Sequence, residues 1–136
     1  MSRPSVLVTD DDLALSEMLR SILEQEGFEV RAAYDGLQAI ESIRANPPDL
    51  IVLDINMPRL DGWDVLWDIR NNSETEFLPV IMLTVQKDGE SVTRGWSSGV
   101  DCYLAKPFDV EEMVTMVNRL IRVNEDEKIP GVRRER

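Results

Sequence analysis

The stretch "DLIVLDINMPRLDG", residues 49–62, places a charged residue where an apolar one is expected. Residues 50–53 are four apolar residues in a row, typical of a strand that is buried on both faces of a parallel sheet. The carboxylate of Asp54 follows them directly. A buried strand that ends in this way predicts that Asp54 is held at a defined point just beyond the sheet.

Short apolar runs recur along the whole chain and alternate with segments of helical spacing. Leu15, Leu19 and Leu23 show that spacing after the first run. Strands that alternate with helices predict right-handed crossovers and a parallel sheet with helices on both faces, a doubly wound α/β fold. The five predicted strands are residues 5–9, 28–33, 50–54, 79–84 and 102–105.

The composition of the runs predicts where each strand lies in the sheet. Residues 50–53 and 80–83 are continuously apolar, which favours central positions. The run at 28–33 carries Glu29 and Arg31 and is typical of an edge strand. Each predicted helix also follows an aspartate that can cap its first turn: Asp12, Asp35, Asp61, Asp88 and Asp109. Two of these predict capping boxes, Asp35 with Gln38 and Asp109 with Glu112.

Length and composition predict one domain. The chain has 136 residues, of which 43% are hydrophobic, enough for a single core. We expect this domain to span residues 1–123. Residues 124–136, "NEDEKIPGVRRER", are polar and charged, and we expect a tail or the start of a linker there.

The charge and the residues that the chain lacks exclude several classes of function. The net charge of −11 disfavours direct binding to nucleic acid or to an anionic membrane. The N-terminus has no apolar signal segment, no run is long enough to span a bilayer, and Cys102 is the single cysteine. These features predict a cytoplasmic protein. The chain contains no histidine, which excludes histidine-based metal sites and histidine general bases.

Five polar residues lie at or just after the carboxyl ends of the predicted strands and should meet at one edge, where ligands of open α/β sheets bind. They are Asp10, Asp11, Asp54, Thr84 and Lys106. Three neighbouring carboxylates repel one another and require a cation. Mg²⁺ prefers oxygen ligands and leaves room for phosphate oxygens. Lys106 adds a point charge and Thr84 a hydroxyl donor.

This set predicts a phosphoryl-binding site that contains its own nucleophile. An aspartate carboxylate can attack phosphorus to form an aspartyl phosphate, with a metal and a lysine offsetting charge in the transition state. Asp54 is the predicted nucleophile because it follows the central strand, while Asp10 and Asp11 form the adjacent metal pair.

The motifs "VLVTDDD", "LIVLDINMPRLDG", "VIMLT" and "YLAKPF" resemble the receiver domain of bacterial two-component response regulators, over about residues 4–123. The resemblance implies a flavodoxin-like (βα)5 fold with strand order 2-1-3-4-5. It also implies that Asp54 accepts a phosphoryl group from a sensor histidine kinase or a phosphotransfer protein. Such a domain is a switch that catalyses only its own phosphorylation and dephosphorylation.

The resemblance also assigns roles to individual residues. It implies Mg²⁺ held by Asp11, Asp54 and the backbone carbonyl of Asn56, with Asp10 acting mainly through water. Thr84 and Lys106 would bind the phosphoryl oxygens, and Lys106-Pro107 would be a cis peptide.

The resemblance assigns signalling roles to a second group of residues. Tyr103 matches the aromatic switch position that responds as Thr84 moves, and Asn56 and Gln86 match positions that tune the phosphoryl lifetime. Val85 departs from the small residue typical after Thr84, which narrows access to the site. The responsive surface is made by the predicted fourth helix, fifth strand and fifth helix, about residues 88–122.

The partner and the oligomeric state stay open at this point. The signal would pass to a downstream effector or to an output domain outside this sequence. The charged pairs of dimerising receivers are only partly present, so both a monomer and a phosphorylation-dependent homodimer are compatible with the sequence. The residues that match those pairs are Arg94, Asp101, Glu112 and Arg119.

Three alternatives share parts of the pattern. A phosphatase of the aspartyl-phosphate type would carry a second acid two residues after the nucleophile, where this chain has Asn56. A flavin-binding module would need a Ser/Thr/Gly-rich phosphate loop after the first strand, where "DDDLAL" repels phosphate. A degenerate receiver used only for docking would not need the full five-residue set.

Overall fold

A five-stranded parallel sheet forms the centre of the computed structural model, which describes residues 3–85 and 99–126. The order is β2-β1-β3-β4-β5, and each neighbouring pair is parallel. The doubly wound fold and the predicted strand order are therefore confirmed. The strands are β1 (Ser5–Thr9), β2 (Glu29–Ala33), β3 (Leu50–Asp54), β4 (Val80–Val85) and β5 (Cys102–Lys106).

Helices cover both faces of this sheet. Helices α1 (Leu13–Gln25) and α2 (Gly36–Ala45) follow the first two strands, and α3 (Gly62–Arg70) follows β3. A C-terminal helix spans Val110–Asp126, so it continues past residue 123. Helices α2 and α3 pack on one apolar face, and α1 and the C-terminal helix pack on the other. The predicted fourth helix, with its cap Asp88 and with Arg94, lies outside the described residues.

The burial of each strand follows the predicted positions. Every residue of β3 is buried, and residues 50–53 are fully inaccessible to solvent. Strand β2 lies at one edge of the sheet, and its first residue, Glu29, is exposed. The apolar runs therefore identify the central and edge strands correctly. No helix within the described ranges is long and apolar enough to cross a bilayer.

Aspartate side chains cap the first turns of the helices, as predicted. Asp12, Asp35 and Asp61 each accept a hydrogen bond from the backbone N–H three residues further on. Asp109 accepts one from the N–H of Glu111.

A capping box forms at α3, where the side chain of Asp64 also accepts from the N–H of Asp61. The box predicted at Asp35 is not reciprocal, because Gln38 accepts instead from the N–H of Tyr34 at 2.9 Å. The longer glutamine side chain reaches one residue further back than the aspartate does.

The end of α3 is tied to the amino-terminal edge of the sheet by one partly buried arginine. The guanidinium of Arg70 donates to the carbonyl oxygens of Glu76, Leu78 and Gly99 at 2.7 to 3.1 Å. It also pairs with the Asp101 carboxylate at 3.1 Å, where both side chains are only 12% exposed. Asp101, predicted as one of the dimer-type charges, therefore forms an ion pair within its own chain.

Replacing Arg70 should destabilise the domain strongly. Arg70→Met leaves a largely desolvated carboxylate and three carbonyl oxygens without this donor, and we expect a loss of about 3 kcal/mol in the free energy of unfolding. Arg44→Met is the matched control, because Arg44 pairs with Asp68 at 2.8 Å but is 61% exposed. Its loss should stay below about 1 kcal/mol. Equal losses in urea titrations of the two variants would contradict this assignment.

Candidate functional site

The carboxyl ends of β1 and β3 bring three carboxylates together. Asp10 and Asp11 follow β1, Asp54 ends β3, and one oxygen from each lies within 4.8 Å of the others. Asp10 is fully buried and Asp54 is 3% exposed, whereas Asp11 faces solvent. The buried pair is built into the sheet, and the exposed member leaves the cluster open to a ligand from solution.

Lys106, at the end of β5, supplies a positive charge to this cluster. Its Nζ donates to Asp10 Oδ2 at 2.8 Å and lies 3.4 Å from Asp54 Oδ1. The following peptide bond, Lys106-Pro107, is cis, as the resemblance implies. One ammonium does not balance three carboxylates, so the cluster keeps a net negative charge.

Burial and charge together perturb the two groups at the centre of the site. Burial, and next the charge of Asp10, raise the pKa of Asp54 to about 6, although Lys106 and the N–H of Asn56 oppose the shift. Burial alone would lower the pKa of Lys106, but its hydrogen bond to Asp10 and the charges of Asp54 and Asp10 raise it. Lys106 therefore stays protonated, and Asp54 is ionised above pH 6.

Thr84 and Val85 end β4, and Tyr103 lies near the start of β5. Thr84 is buried, and its hydroxyl donates to the carbonyl of Val85 at 3.0 Å. The side chain of Val85 is 60% exposed. Tyr103 is half-buried, and its ring centroid lies 6.5 Å from that of Trp63 in α3. Gln86 lies outside the described residues.

The donor set suits a hard divalent cation. The three carboxylates offer oxygen atoms close enough to share one ion, and Asn56 follows two residues after Asp54 in the loop between β3 and α3. Oxygen ligands of this kind, with one ligand open to water, are those that Mg²⁺ prefers.

Glycine 62 closes the β3–α3 loop at its base, a role that sequence reasoning missed. Its N–H donates to the carbonyl of Ile55 at 2.8 Å. A Cβ at this position would lie 2.6 Å from the Asp54 carbonyl oxygen, closer than real contacts allow. Only glycine fits this approach, and its signal in the sequence is the Asp61-Gly62 pair at the junction of the loop and α3.

Comparison with known proteins agrees with this geometry. The family model for the response regulator receiver domain matches residues 6–118. The chain belongs to this family.

The relatives of this receiver domain include regulators from distant bacteria. It is 40% identical over 119 residues to the DNA-binding dual master transcriptional regulator RpaA of Synechocystis, covering 88% of this chain and 49% of that protein. It is 41% identical over 125 residues to the DNA-binding response regulator MtrA of Mycobacterium tuberculosis, covering 92% of this chain and 54% of that protein. The chain thus spans about half the length of these curated relatives.

Solved receiver structures have the same fold. The Francisella response regulator 1452 receiver domain is 37% identical and superposes with a TM-score of 0.81. The match covers 88% of this chain and 98% of that one. The chemotaxis response regulator CheY4 of Vibrio cholerae is 30% identical and superposes with a TM-score of 0.82. The match covers 88% of this chain and 99% of that one.

The raised pKa of Asp54 predicts a pH-dependent stability in buffer free of divalent cations. A carboxyl group whose pKa is higher when folded stabilises the protein below its unfolded pKa, and this contribution is lost as pH rises through about 6. Asp54→Asn mimics the neutral form. We expect it to raise the free energy of unfolding by about 2 kcal/mol at pH 7.5, and this gain should shrink between pH 7 and pH 4.

Urea titrations across that pH range measure the effect. Asp61→Asn is the control for loss of one carboxylate, because asparagine caps helices as well as aspartate does. A gain for Asp54→Asn that is equal at pH 7.5 and pH 4 would refute the perturbed carboxyl group.

Proposed function

We propose that this receiver domain accepts a phosphoryl group on Asp54 from the phosphohistidine of a sensor histidine kinase or a phosphotransfer protein, in a reaction that requires Mg²⁺. The observation that carries the proposal is the position of Asp54. Its carboxylate ends a fully buried central strand, shares a cluster with two other carboxylates, and lies 3.4 Å from the Lys106 ammonium. A nucleophile held in this way needs little reorganisation to react.

The proposed chemistry uses Asp54 as the nucleophile. A carboxylate oxygen forms a bond to phosphorus while the bond from phosphorus to the donor's imidazole nitrogen breaks, and the imidazole keeps that electron pair. With a pKa of about 6, Asp54 is mostly ionised at neutral pH. The Lys106 ammonium offsets negative charge on the phosphoryl oxygens, and the Thr84 hydroxyl turns from the Val85 carbonyl to donate to one of them.

Asp10, Asp11, Asp54 and the Asn56 carbonyl are the groups that would hold Mg²⁺. The ion would supply charge neutralisation for the transferring phosphoryl oxygens. Asn56 and Gln86 are proposed to set the phosphoryl lifetime by controlling the approach of water. Val85 narrows the entrance with an exposed β-branched side chain.

The proposed output is a change in the surface that contains β5 and the C-terminal helix. Movement of Thr84 toward the phosphoryl group would free space near Tyr103, which packs beside Trp63. The receiver, residues 1–123, would pass this change through residues 124–136 to an output domain, or directly to an effector, either as a monomer or as a phosphorylation-dependent homodimer. The net charge of −11 favours a protein partner over direct contact with nucleic acid.

The reaction would be confined to the domain's own phosphoryl group. The sequence has Asn56, not a second acid, two residues after Asp54, which supports this proposal. A general acid for turnover of a separate substrate is therefore missing at that position, and the activity is that of a switch.

Intact mass after incubation with a small acyl-phosphate donor and Mg²⁺ tests the proposal. The wild-type chain should gain one phosphoryl group, because Asp54 is the only carboxylate in the described cluster that ends a central strand. Asp54→Ala should gain none, and a chelator should abolish the gain in the wild type.

Asp49→Ala is a suitable positive control, because Asp49 precedes the same strand at its other end. A gain in Asp54→Ala equal to that of the wild type would overturn the assignment. An absence of any gain in the wild type, together with failure to bind a beryllium fluoride mimic, would favour a docking domain instead.

A further inference from the structure

The first residue of α2 lies directly against the loop that carries Asn56. That loop, residues 55–61, joins β3 to α3. A Cβ at Gly36 would overlap the carbonyl oxygen of Leu60 and would lie 2.6 Å from Leu60 Cβ and 2.9 Å from its carbonyl carbon. Two of these atoms belong to the backbone, so they cannot be moved by a change of rotamer. The loop therefore occupies the space that any other residue at position 36 would fill.

Arg59, at the top of the same loop, is held in an uncommon conformation. Its φ of 70° lies in the left-handed region, which costs a non-glycine residue about 1 kcal/mol or more. Its Nε lies 3.7 Å from Oδ2 of Asp35, the buried aspartate that caps α2. Strain of this kind persists only where the surroundings hold the backbone, and the first turn of α2 contacts this segment through Asp35 and Gly36.

The loop is thus held at two places. The N–H of Gly62 closes its base by donating a hydrogen bond to the Ile55 carbonyl. At its top, Leu60 packs directly against Gly36. Asn56 lies between these two points, and its N–H contacts the Asp54 carboxylate. A displacement of Leu60 must be absorbed by the few residues between 55 and 60, because the base of the loop is fixed.

We propose that Gly36 is a positioning residue for the cation site. The amino terminus of α2 fixes the position of Asn56 because the β3–α3 loop packs directly against it. The inference rests on the proposed Mg²⁺ site. It predicts that a larger side chain at position 36 weakens cation binding, although position 36 carries no ligand and lies in α2, outside the β3–α3 loop.

Calorimetric titration of Mg²⁺ into Gly36→Ala, compared with the wild type, measures this effect without phosphorylation. Residues that orient metal ligands typically change metal affinity by a factor of ten or more, so we expect binding about tenfold weaker. In cation-free buffer, the amide resonances of Asp54 and Asn56 should also shift.

Gly27→Ala is the matched control for loss of stability. Gly27 has a φ of 98°, so alanine is strained there, but an added Cβ meets no atom within 4 Å. We expect Gly27→Ala to be destabilised while it binds Mg²⁺ with wild-type affinity and keeps both amide resonances in place.

A second pair of variants leaves α2 intact and serves if Gly36→Ala does not fold. Leu60→Gly removes the Cβ that lies against Gly36 and loosens the loop, whereas Leu60→Ala keeps that Cβ. Leu60→Gly should bind Mg²⁺ several-fold more weakly than Leu60→Ala.

The outcomes separate the inference from the function on which it rests. Wild-type affinity in Gly36→Ala, or equal affinities in the two Leu60 variants, would overturn the positioning role and leave the proposed function standing. A wild-type chain that binds no Mg²⁺ at millimolar concentration would overturn both.

Discussion

Repulsion among the carboxylates of Asp10, Asp11 and Asp54 is the constraint on which the structure depends. Two of the three are buried, so they have given up much of their hydration, and the single ammonium of Lys106 offsets only part of their charge. Burial, and next the charge of Asp10, raise the pKa of Asp54 even with Lys106 beside it, so the ammonium compensates the buried carboxylates only in part. Such an arrangement is unfavourable in isolation and becomes favourable when a divalent cation, and then a phosphoryl group, enters the cluster.

The parallel sheet is what makes this arrangement possible. Strand β3 is buried along its whole length between two apolar layers, and these layers supply the stability that the charged edge removes. The same topology puts the ends of β1, β3, β4 and β5 side by side, so residues far apart in sequence meet without long loops. At the other edge, the partly buried Arg70 and Asp101 offset each other's charge as an ion pair. The amino-terminal edge of the sheet thus contributes stability, and the carboxyl-terminal edge carries the reactive groups.

Sequence patterns predict the parts of this molecule that depend on local periodicity. The apolar runs predict all five strands, and the charged residues of β2 identify it as an edge strand. The convergence of Asp10, Asp54 and Lys106 follows from the rule that parallel strands end at one edge. Contacts between elements were not predictable in this way. The contact of Leu60 with Gly36 joins the β3–α3 loop to the first turn of α2, and its closeness is set by tertiary packing. The hydrogen bond from the Tyr34 N–H to Gln38 depends on a side-chain reach that spacing does not encode.

The free energy of unfolding as a function of Mg²⁺ concentration tests the central claim most directly. If the cluster is stabilised by a cation, wild-type stability should rise with concentration, by about 2.7 kcal/mol at a hundredfold excess over the dissociation constant. Asp54→Asn should respond much less, and NaCl of equal ionic strength should not reproduce the effect. A wild-type stability that is unchanged by Mg²⁺, or a response that is equal in Asp54→Asn, would contradict the account.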